Sequence, residues 1–292
     1  MTPHTSILSK SRCELGEGPF YCDRRETLYW FDIVNRRRHA FDFKSGLETS
    51  QPIPEMASAM AVIDDRHDLI FTESGLWSWE LGTGCWTPVC SIEVDDEATR
   101  SNDARVHPSG AMWLGTMSKT AKEGAGAIYH YRAGTLTKLF DDVTIPNAIC
   151  FSPQGDTAFY TDTKTRKLMR VKVDVGNGLP TEKPQVHYRQ PTTDIGGMDG
   201  AICDGDGNIW NARWGASRLD MYSRYGERAL SIEVPVTQPS CPAFVGGNHI
   251  AIASAWEGMD QATRDADANA GRVVLLEFQT STNPRFEPWA VI

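Results

Sequence analysis

The sequence has no long apolar run and no surplus of basic residues. No stretch approaches the roughly 18 consecutive apolar residues that a transmembrane helix needs, so a helical membrane span is excluded. Lys and Arg number 29 against 38 Asp and Glu, which gives a formal net charge of -9. Because nucleic-acid binding depends on cationic side chains that displace counterions from phosphates, nucleic acid is not an expected partner.

The signatures of several enzyme classes are also missing. The chain contains no Gly-x-Ser-x-Gly elbow, Walker loop, Gly-x-Gly-x-x-Gly fingerprint or His-Glu-x-x-His motif, which argues against a serine triad or nucleotide chemistry. Its seven cysteines form no Cys-x-x-Cys pair and mostly lie in apolar runs, so we interpret them as reduced core thiols. Residues 1–11 lack the apolar stretch of a signal peptide, and we therefore expect a cytoplasmic protein.

A repeat of short β-rich runs dominates what the sequence does contain. Six runs recur at spacings of 41 to 51 residues, and each follows a turn rich in Gly, Asp, Asn or Pro. Their anchors are Tyr29, Ile70, Trp113, Phe159, Trp210 and Ala251. Another apolar strand precedes each turn and a third follows most anchors, which indicates three or four strands per repeat. This pattern is typical of a β-propeller blade, whereas a generic antiparallel β-sandwich has no near-constant period.

Six repeats predict an all-β protein folded as a single six-bladed β-propeller. We expect one domain over residues 1–292, with the repeats at about 11–279 and the N- and C-terminal segments closing the ring. The first strand of each blade in such a fold lines the central channel. Side chains at the entry of these strands are therefore expected to converge on one mouth of the channel.

Three hard oxygen donors stand at equivalent entries, 11 or 12 residues before their anchors. They are Glu17, Asn147 and Asp199. Two carboxylates and an amide carbonyl, with positions left for water and substrate, suit one divalent cation such as Ca²⁺, Zn²⁺, Mg²⁺ or Mn²⁺. Each residue by itself could instead be a local cap or turn residue, because Asn and Asp often bond their own backbone.

A second polar cluster, at residues 99–104, enters from the third blade. Arg100 offers a planar fork of donors, and Asn102 both donates and accepts, which fits a hydroxylated small substrate with or without a carboxylate. The alternative interpretation is a solvated surface charge. Residues 204–208 resemble the opening of an EF-hand loop, but Ile209 and Gly215 stand where that loop needs Gly and Glu, so we predict a hairpin turn.

These motifs resemble those of the gluconolactonase and regucalcin family of six-bladed propeller lactonases over about residues 11–279. The matching segments are Gly16-Glu17-Gly18-Pro19, Arg100-Ser101-Asn102-Asp103, Leu114-Gly115-Thr116-Met117, Pro146-Asn147, Asp199-Gly200, Asp206-Gly207-Asn208-Ile209-Trp210 and Ala253-Ser254-Ala255. The resemblance implies metal ligands at Glu17, Asn147 and Asp199, and substrate contacts at Arg100, Asn102 and Glu123. Ala104 and Ala148 stand where the family usually has Gly, which implies a slightly different backbone approach.

We therefore predict a metal-dependent hydrolase of carbohydrate metabolism that opens aldono- or aldarolactones to the free acids. The cation polarises the ring carbonyl, Asp199 acts as the general base, and Arg100 and Asn102 orient the sugar. The expected partner is a small-molecule sugar lactone, and the expected state is a monomer or weak homo-oligomer. Two alternatives from other classes are a non-catalytic calcium- or metabolite-binding regucalcin-like propeller and a protein-interaction propeller.

Overall fold

The computed structural model of the chain describes residues 3–279 and 283–292. These residues form 24 β-strands, arranged as six four-stranded antiparallel sheets. Helix in the described residues is limited to α1 (Gln261–Ala266) and two 3-10 turns, Asp23–Arg25 and Thr163–Thr165, and none of it is long and apolar enough to cross a membrane. Each repeat thus has four strands, and the prediction of an all-β six-bladed β-propeller is confirmed.

The first of two compact units comprises Met1–Pro54 and Pro191–Phe286 and holds the first, fifth and sixth blades. The first blade consists of β2 (Gly16–Cys22), β3 (Thr27–Asp32), β4 (Arg37–Asp42) and β5 (Leu47–Pro52). The fifth consists of β18 (Gly197–Cys203), β19 (Ile209–Trp214), β20 (Arg218–Tyr222) and β21 (Arg228–Glu233). The sixth consists of β22 (Pro239–Val245), β23 (His249–Ser254), β24 (Val274–Glu277) and, at its outer edge, β1 (His4–Ile7).

The second unit comprises Glu55–Gln190 and Glu287–Ile292 and holds the other three blades. The second blade consists of β6 (Ala57–Val62), β7 (His67–Thr72), β8 (Gly75–Glu80) and β9 (Trp86–Ser91). The third consists of β10 (Thr99–Val106), β11 (Met112–Ser118), β12 (Gly126–Arg132) and β13 (Thr135–Val143). The fourth consists of β14 (Pro146–Phe151), β15 (Thr157–Asp162), β16 (Lys167–Lys172) and β17 (Gln185–Arg189). That both units belong to one domain stays a prediction.

Burial falls steeply from the first to the fourth strand of a blade. Every residue of β6, β14 and β22 is buried, whereas β5 and β21 are mostly exposed. A polar side chain on a buried strand costs free energy unless it is hydrogen-bonded or paired. Polar residues near the start of the buried first strands carry this cost, and they are therefore candidates for a functional role.

Each unit has its own apolar core. In the first unit a cluster around Trp210 and Phe244 joins the fifth and sixth blades, and in the second unit a cluster around Trp113 and Phe151 joins the third and fourth. Five of the seven free cysteines are buried, as expected for core thiols. That interpretation was wrong for Cys85, which is exposed because it lies outside the core, directly before the outer strand β9.

The predicted hairpin turn at residues 204–208 is confirmed. Asp204 accepts hydrogen bonds from the backbone N–H groups of Asp206 and Asn208, at 3.0 and 2.8 Å, and from the indole of Trp210 at 3.0 Å. Its carboxylate is engaged by the turn that it closes, as the departures from the EF-hand pattern indicated.

Candidate active site

Every first strand is irregular near its start. The register of its pairing with the second strand shifts there, as in a β-bulge. The shifts lie between Glu17 and Phe20, Ala57 and Ala59, Ser101 and Ala104, Asn147 and Cys150, Met198 and Ala201, and Pro239 and Cys241. A bulge breaks the regular alternation of a strand and re-aims its side chains. The predicted site residues on these strands lie at or inside the bulges, or directly before one in the case of Arg100.

In the second unit the structure brings Arg100, Asn102 and Asn147 together. Arg100 Nη1 donates to Asn102 Oδ1 at 2.8 Å, and Asn102 Nδ2 donates to Asn147 Oδ1 at 3.0 Å. Asn147 Nδ2 in turn donates to Thr163 Oγ1 at 3.0 Å. These bonds orient both amides, and the second lone pair of Asn147 Oδ1 is left for a ligand.

Burial and distant hydrogen-bond partners distinguish the members of this bonded series from surface or turn residues, and their functional roles stay predictions. Asn102 and Asn147 are buried, and Arg100 is half-buried, so Arg100 is not part of a freely solvated charge run. The amide of Asn147 bonds side chains 16 and 45 residues away in the sequence, which is not the behaviour of a residue that caps its own turn. Sequence reasoning missed Thr163, because nothing in its local pattern marks it.

The backbone directly after Asn147 has an unusual conformation. Ala148 has a φ of 54°, in the left-handed region that residues with a Cβ rarely adopt. The neighbouring blade stabilises this conformation, because Asp103 Oδ2 accepts the Ile149 N–H at 2.7 Å. Gly, which the resemblance to the gluconolactonase and regucalcin family implies for this position, adopts such a φ without strain.

Asp103 also belongs to a buried charged cluster that sequence reasoning missed. Arg105 lies 4.0 Å from Asp103 and forms a closer ion pair with Glu287. Burial raises the pKa of Asp103 to about 6, although the Arg105 cation opposes this effect. Asp103 and Arg105 are two residues apart on one strand, but Glu287 lies beyond the last repeat, where no spacing connects it to them.

In the first unit, Glu17 and Asp199 stand on the first strands of the first and fifth blades. Glu17 is half-buried, and its Oε2 accepts the Gly18 N–H at 3.2 Å. Asp199 is 5% exposed, and its backbone carbonyl accepts from Asn211 Nδ2 at 2.6 Å. Buried carboxylates are paired or coordinate metals, and the role of Asp199 as a metal ligand and general base stays a prediction.

The chemistry of the predicted donor set fits a hard divalent cation. Glu17 and Asp199 offer carboxylate oxygens, and Asn147 offers an oriented carbonyl oxygen. Across residues 3–279 and 283–292, no group of three or more His, Cys, Asp or Glu side chains could hold a metal ion. A set of two carboxylates and one amide is not such a group, and it stays a prediction.

Glu123 lies in the exposed turn between β11 and β12. It lacks the burial of the Asn102–Asn147 pair. Its role as an acidic substrate contact stays a prediction.

The chain belongs to a known family. Residues 15–255 match the family model described as "SMP-30/Gluconolactonase/LRE-like region". This match confirms the resemblance inferred from the sequence motifs.

Similar proteins cover nearly the whole chain. A protein of Rhizobium meliloti strain 1021 named "Putative sugar lactone lactonase" is 45% identical over 283 residues, which are 96% of this chain and 95% of that protein. The L-arabinolactonase of Azospirillum brasilense is 31% identical over 278 residues, 93% of this chain and 91% of that protein. The crystal structure of a calcium-binding protein, regucalcin, from Agrobacterium tumefaciens has a TM-score of 0.96 and 41% identity, covering 99% of this chain and 98% of that chain. Because the family contains sugar lactonases, the predicted enzyme class is confirmed at the level of the family.

Proposed function

We propose that the chain is a metal-dependent hydrolase that opens the ring ester of aldono- or aldarolactones to give the free acids. The observation that carries the proposal is the bonded series from Arg100 through Asn102 to Asn147, which stands at the bulges of two first strands. A fixed fork of N–H donors beside two oriented amides suits a ligand with several hydroxyl groups. Membership of the SMP-30/gluconolactonase family supports the same substrate class.

In this proposal Glu17, Asn147 and Asp199 hold one divalent cation. A bound cation supplies Lewis-acid polarisation of the lactone carbonyl and stabilises the oxyanion that develops. Asn147 contributes its Oδ1, whose direction is set by the bonds with Asn102 and Thr163. The similar Agrobacterium protein is described as calcium-binding, which supports Ca²⁺, with Zn²⁺, Mg²⁺ and Mn²⁺ as the other candidates.

Asp199 is the general base in this mechanism. Its carboxylate accepts a proton from the water that attacks the carbonyl carbon, and the ring C–O bond breaks as the departing oxygen takes up a proton. Arg100 and Asn102 hold the sugar hydroxyls, and Glu123 contacts the substrate from its turn. One water is consumed in each turnover, and the acid product releases one proton at neutral pH.

The expected cellular setting belongs to the same proposal. Free thiols at all seven cysteines support a reducing compartment, and therefore the cytoplasm. The chain acts as a monomer or weak homo-oligomer.

The proposal is tested by measuring proton release with a pH indicator. The purified chain is stripped of metal with a chelator, reloaded separately with Ca²⁺, Mg²⁺, Mn²⁺ or Zn²⁺, and supplied with a panel of aldono- and aldarolactones. We expect ring opening faster than the spontaneous reaction, lost on chelation and restored by at least one cation. No acceleration with any pair of metal and lactone refutes the proposal. Tight Ca²⁺ binding without turnover would instead favour the non-catalytic calcium-binding alternative.

A further inference from the structure

A charged side chain at the end of a second strand holds the backbone just ahead of each predicted metal ligand. In the first blade, Asp32 accepts the N–H groups of Glu14 and Leu15 at 3.0 and 3.2 Å. These two residues directly precede Gly16, where β2 begins. Glu17 is the next residue along the strand.

The fourth blade repeats this arrangement. Asp162 accepts the N–H groups of Thr144 and Ile145 at 2.9 and 3.2 Å. They directly precede Pro146, the first residue of β14, and Asn147 is again the second residue of the strand. Asp162 and Asp32 also share the same register, since each pairs with the first residue of its first strand.

In the fifth blade the same two backbone positions are held by a side chain of opposite charge. Arg213 Nη2 donates to the carbonyl oxygens of Ile195 and Gly196 at 3.1 and 3.3 Å. These residues directly precede Gly197, where β18 begins, and Asp199 is the third residue of that strand. Asp32 pairs with Gly16, the first residue of β2, and the residue that pairs with the first residue of β18, Gly197, is Trp214. Arg213 therefore lies one residue before the position that corresponds to Asp32.

Arg213 and Asp32 are themselves held by further contacts, and the half-buried Asp162 also accepts the Lys164 N–H at 3.1 Å. Arg213 is fully buried, and its Nη1 donates to the Tyr222 hydroxyl at 2.8 Å and pairs with Asp220 at 3.3 Å. Asp32 is buried and also accepts from Asn35 Nδ2 at 3.0 Å. A side chain fixed in this way can hold a backbone segment in one position at little further cost in entropy.

The other three blades fold with a different residue at this position. Hydroxyl side chains stand there, namely Thr72, Ser118 and Ser254. Thr72 donates to Gly75 O and Ser254 to Arg272 O, and Ser118 Oγ accepts the Thr120 N–H at 3.2 Å. In the second blade Glu73 accepts the backbone N–H of Met56 at 3.1 Å. The three blades that carry the predicted ligands share a charged side chain that contacts two consecutive residues just before the first strand.

We infer that Asp32, Asp162 and Arg213 are positioning residues that fix the entry of Glu17, Asn147 and Asp199 into the metal site. This inference rests on the proposed function. A bulge leaves local backbone outside the regular ladder of hydrogen bonds, so its geometry depends on how its ends are held. Residues that orient metal ligands typically change metal affinity by about 10- to 100-fold when they are mutated.

The test uses two conservative variants with two matched controls in the full chain. Asp32→Asn and Asp162→Asn each remove one carboxylate acceptor with almost no change in volume. Asp42 and Asp174 also accept two backbone N–H groups each, in turns of the same first and fourth blades, so Asp42→Asn and Asp174→Asn are the controls. Calorimetric titration of metal-stripped protein with Ca²⁺, Mg²⁺, Mn²⁺ and Zn²⁺ in turn gives the Kd of each. Thermal unfolding with and without a fixed metal concentration gives the metal-dependent rise in Tm.

We expect the metal Kd to rise about 10- to 100-fold in Asp32→Asn and Asp162→Asn, with a smaller metal-dependent rise in Tm, and to stay at the wild-type value in both controls. Metal binding as tight in these variants as in the controls overturns the inference. A variant that does not fold shows a purely structural role and overturns it for that blade. Wild-type protein that binds none of the four cations refutes the proposed metal site, and the inference falls with it.

Discussion

Asp103 is a buried carboxylate whose ionisation opposes folding at neutral pH. Burial raises its pKa from 3.8 to about 6, so the folded chain binds this proton more tightly than the unfolded chain. The difference corresponds to about 3 kcal/mol. Because the folded-state pKa is the higher one, this contribution to stability is present at acidic pH and is lost as the pH rises from about 4 to about 6.

Asp103→Asn removes the titration and keeps the shape of the side chain. The amide oxygen can still accept the Ile149 N–H that the carboxylate accepts at 2.7 Å. We expect the free energy of unfolding of the variant, relative to the wild type, to increase by up to about 3 kcal/mol between pH 4 and pH 6.5 and to change little above that. Urea unfolding followed by tryptophan fluorescence at intervals of half a pH unit measures this difference.

Asp156→Asn is the control of opposite sign. A hydrogen bond from Lys172 lowers the pKa of Asp156, so its contribution is present above the ordinary pKa and is lost as the pH falls. Both partners are about half exposed, and the effect stays below about 1 kcal/mol. A constant difference between Asp103→Asn and the wild type from pH 4 to pH 7 would refute the reasoning about burial.

Three further substitutions test the site and its backbone. Asp199→Asn should abolish turnover and leave the circular dichroism spectrum unchanged, because an amide supplies neither a base nor a charge for the cation; near-normal activity would exclude Asp199 as the base. Arg100→Ala should leave the metal Kd unchanged and lower kcat/KM by about one to two decades, with a larger loss for aldarolactones than for aldonolactones. Equal, negligible losses of kcat/KM for both substrate classes would place Arg100 outside the pocket. Gly200→Ala should lower the urea midpoint by the equivalent of about 1 to 3 kcal/mol, because an added Cβ lies 2.9 Å from Cys241 Cα. Gly82→Ala, with nothing within 4 Å of its added Cβ, is the control, and equal midpoints for the two variants would contradict the clash.

The blades could be predicted from the sequence because their determinants are local. Each anchor run and the turn before it lie within a few residues, and all six second strands were found at their predicted places. The equivalence of the predicted site positions could also be predicted, because the residues 11 or 12 positions before each anchor lie at the bulge of the first strand.

Contacts between distant segments could not be predicted in this way. Arg105 and Glu287 are 182 residues apart, and the repeat period does not indicate which residue after the last repeat pairs with which strand. The paired contacts of Asp32 and Asp162 have a different origin. The sequence shows both aspartates at the ends of the predicted second strands, but only the structure shows that each accepts the N–H groups of two consecutive residues.

The outer strand of the sixth blade has a consequence for the order of folding. β1 pairs with β24 through Ile7 and Val274 at one end and His4 and Glu277 at the other, so the first of the described strands has the last of them as its partner. Closing a loop of roughly 270 residues is entropically unfavourable and belongs to the slow, long-range contacts of a folding reaction. On the ribosome, β1 can pair only after β24 has emerged. The second, third and fourth blades, each made of consecutive strands, can form during that interval.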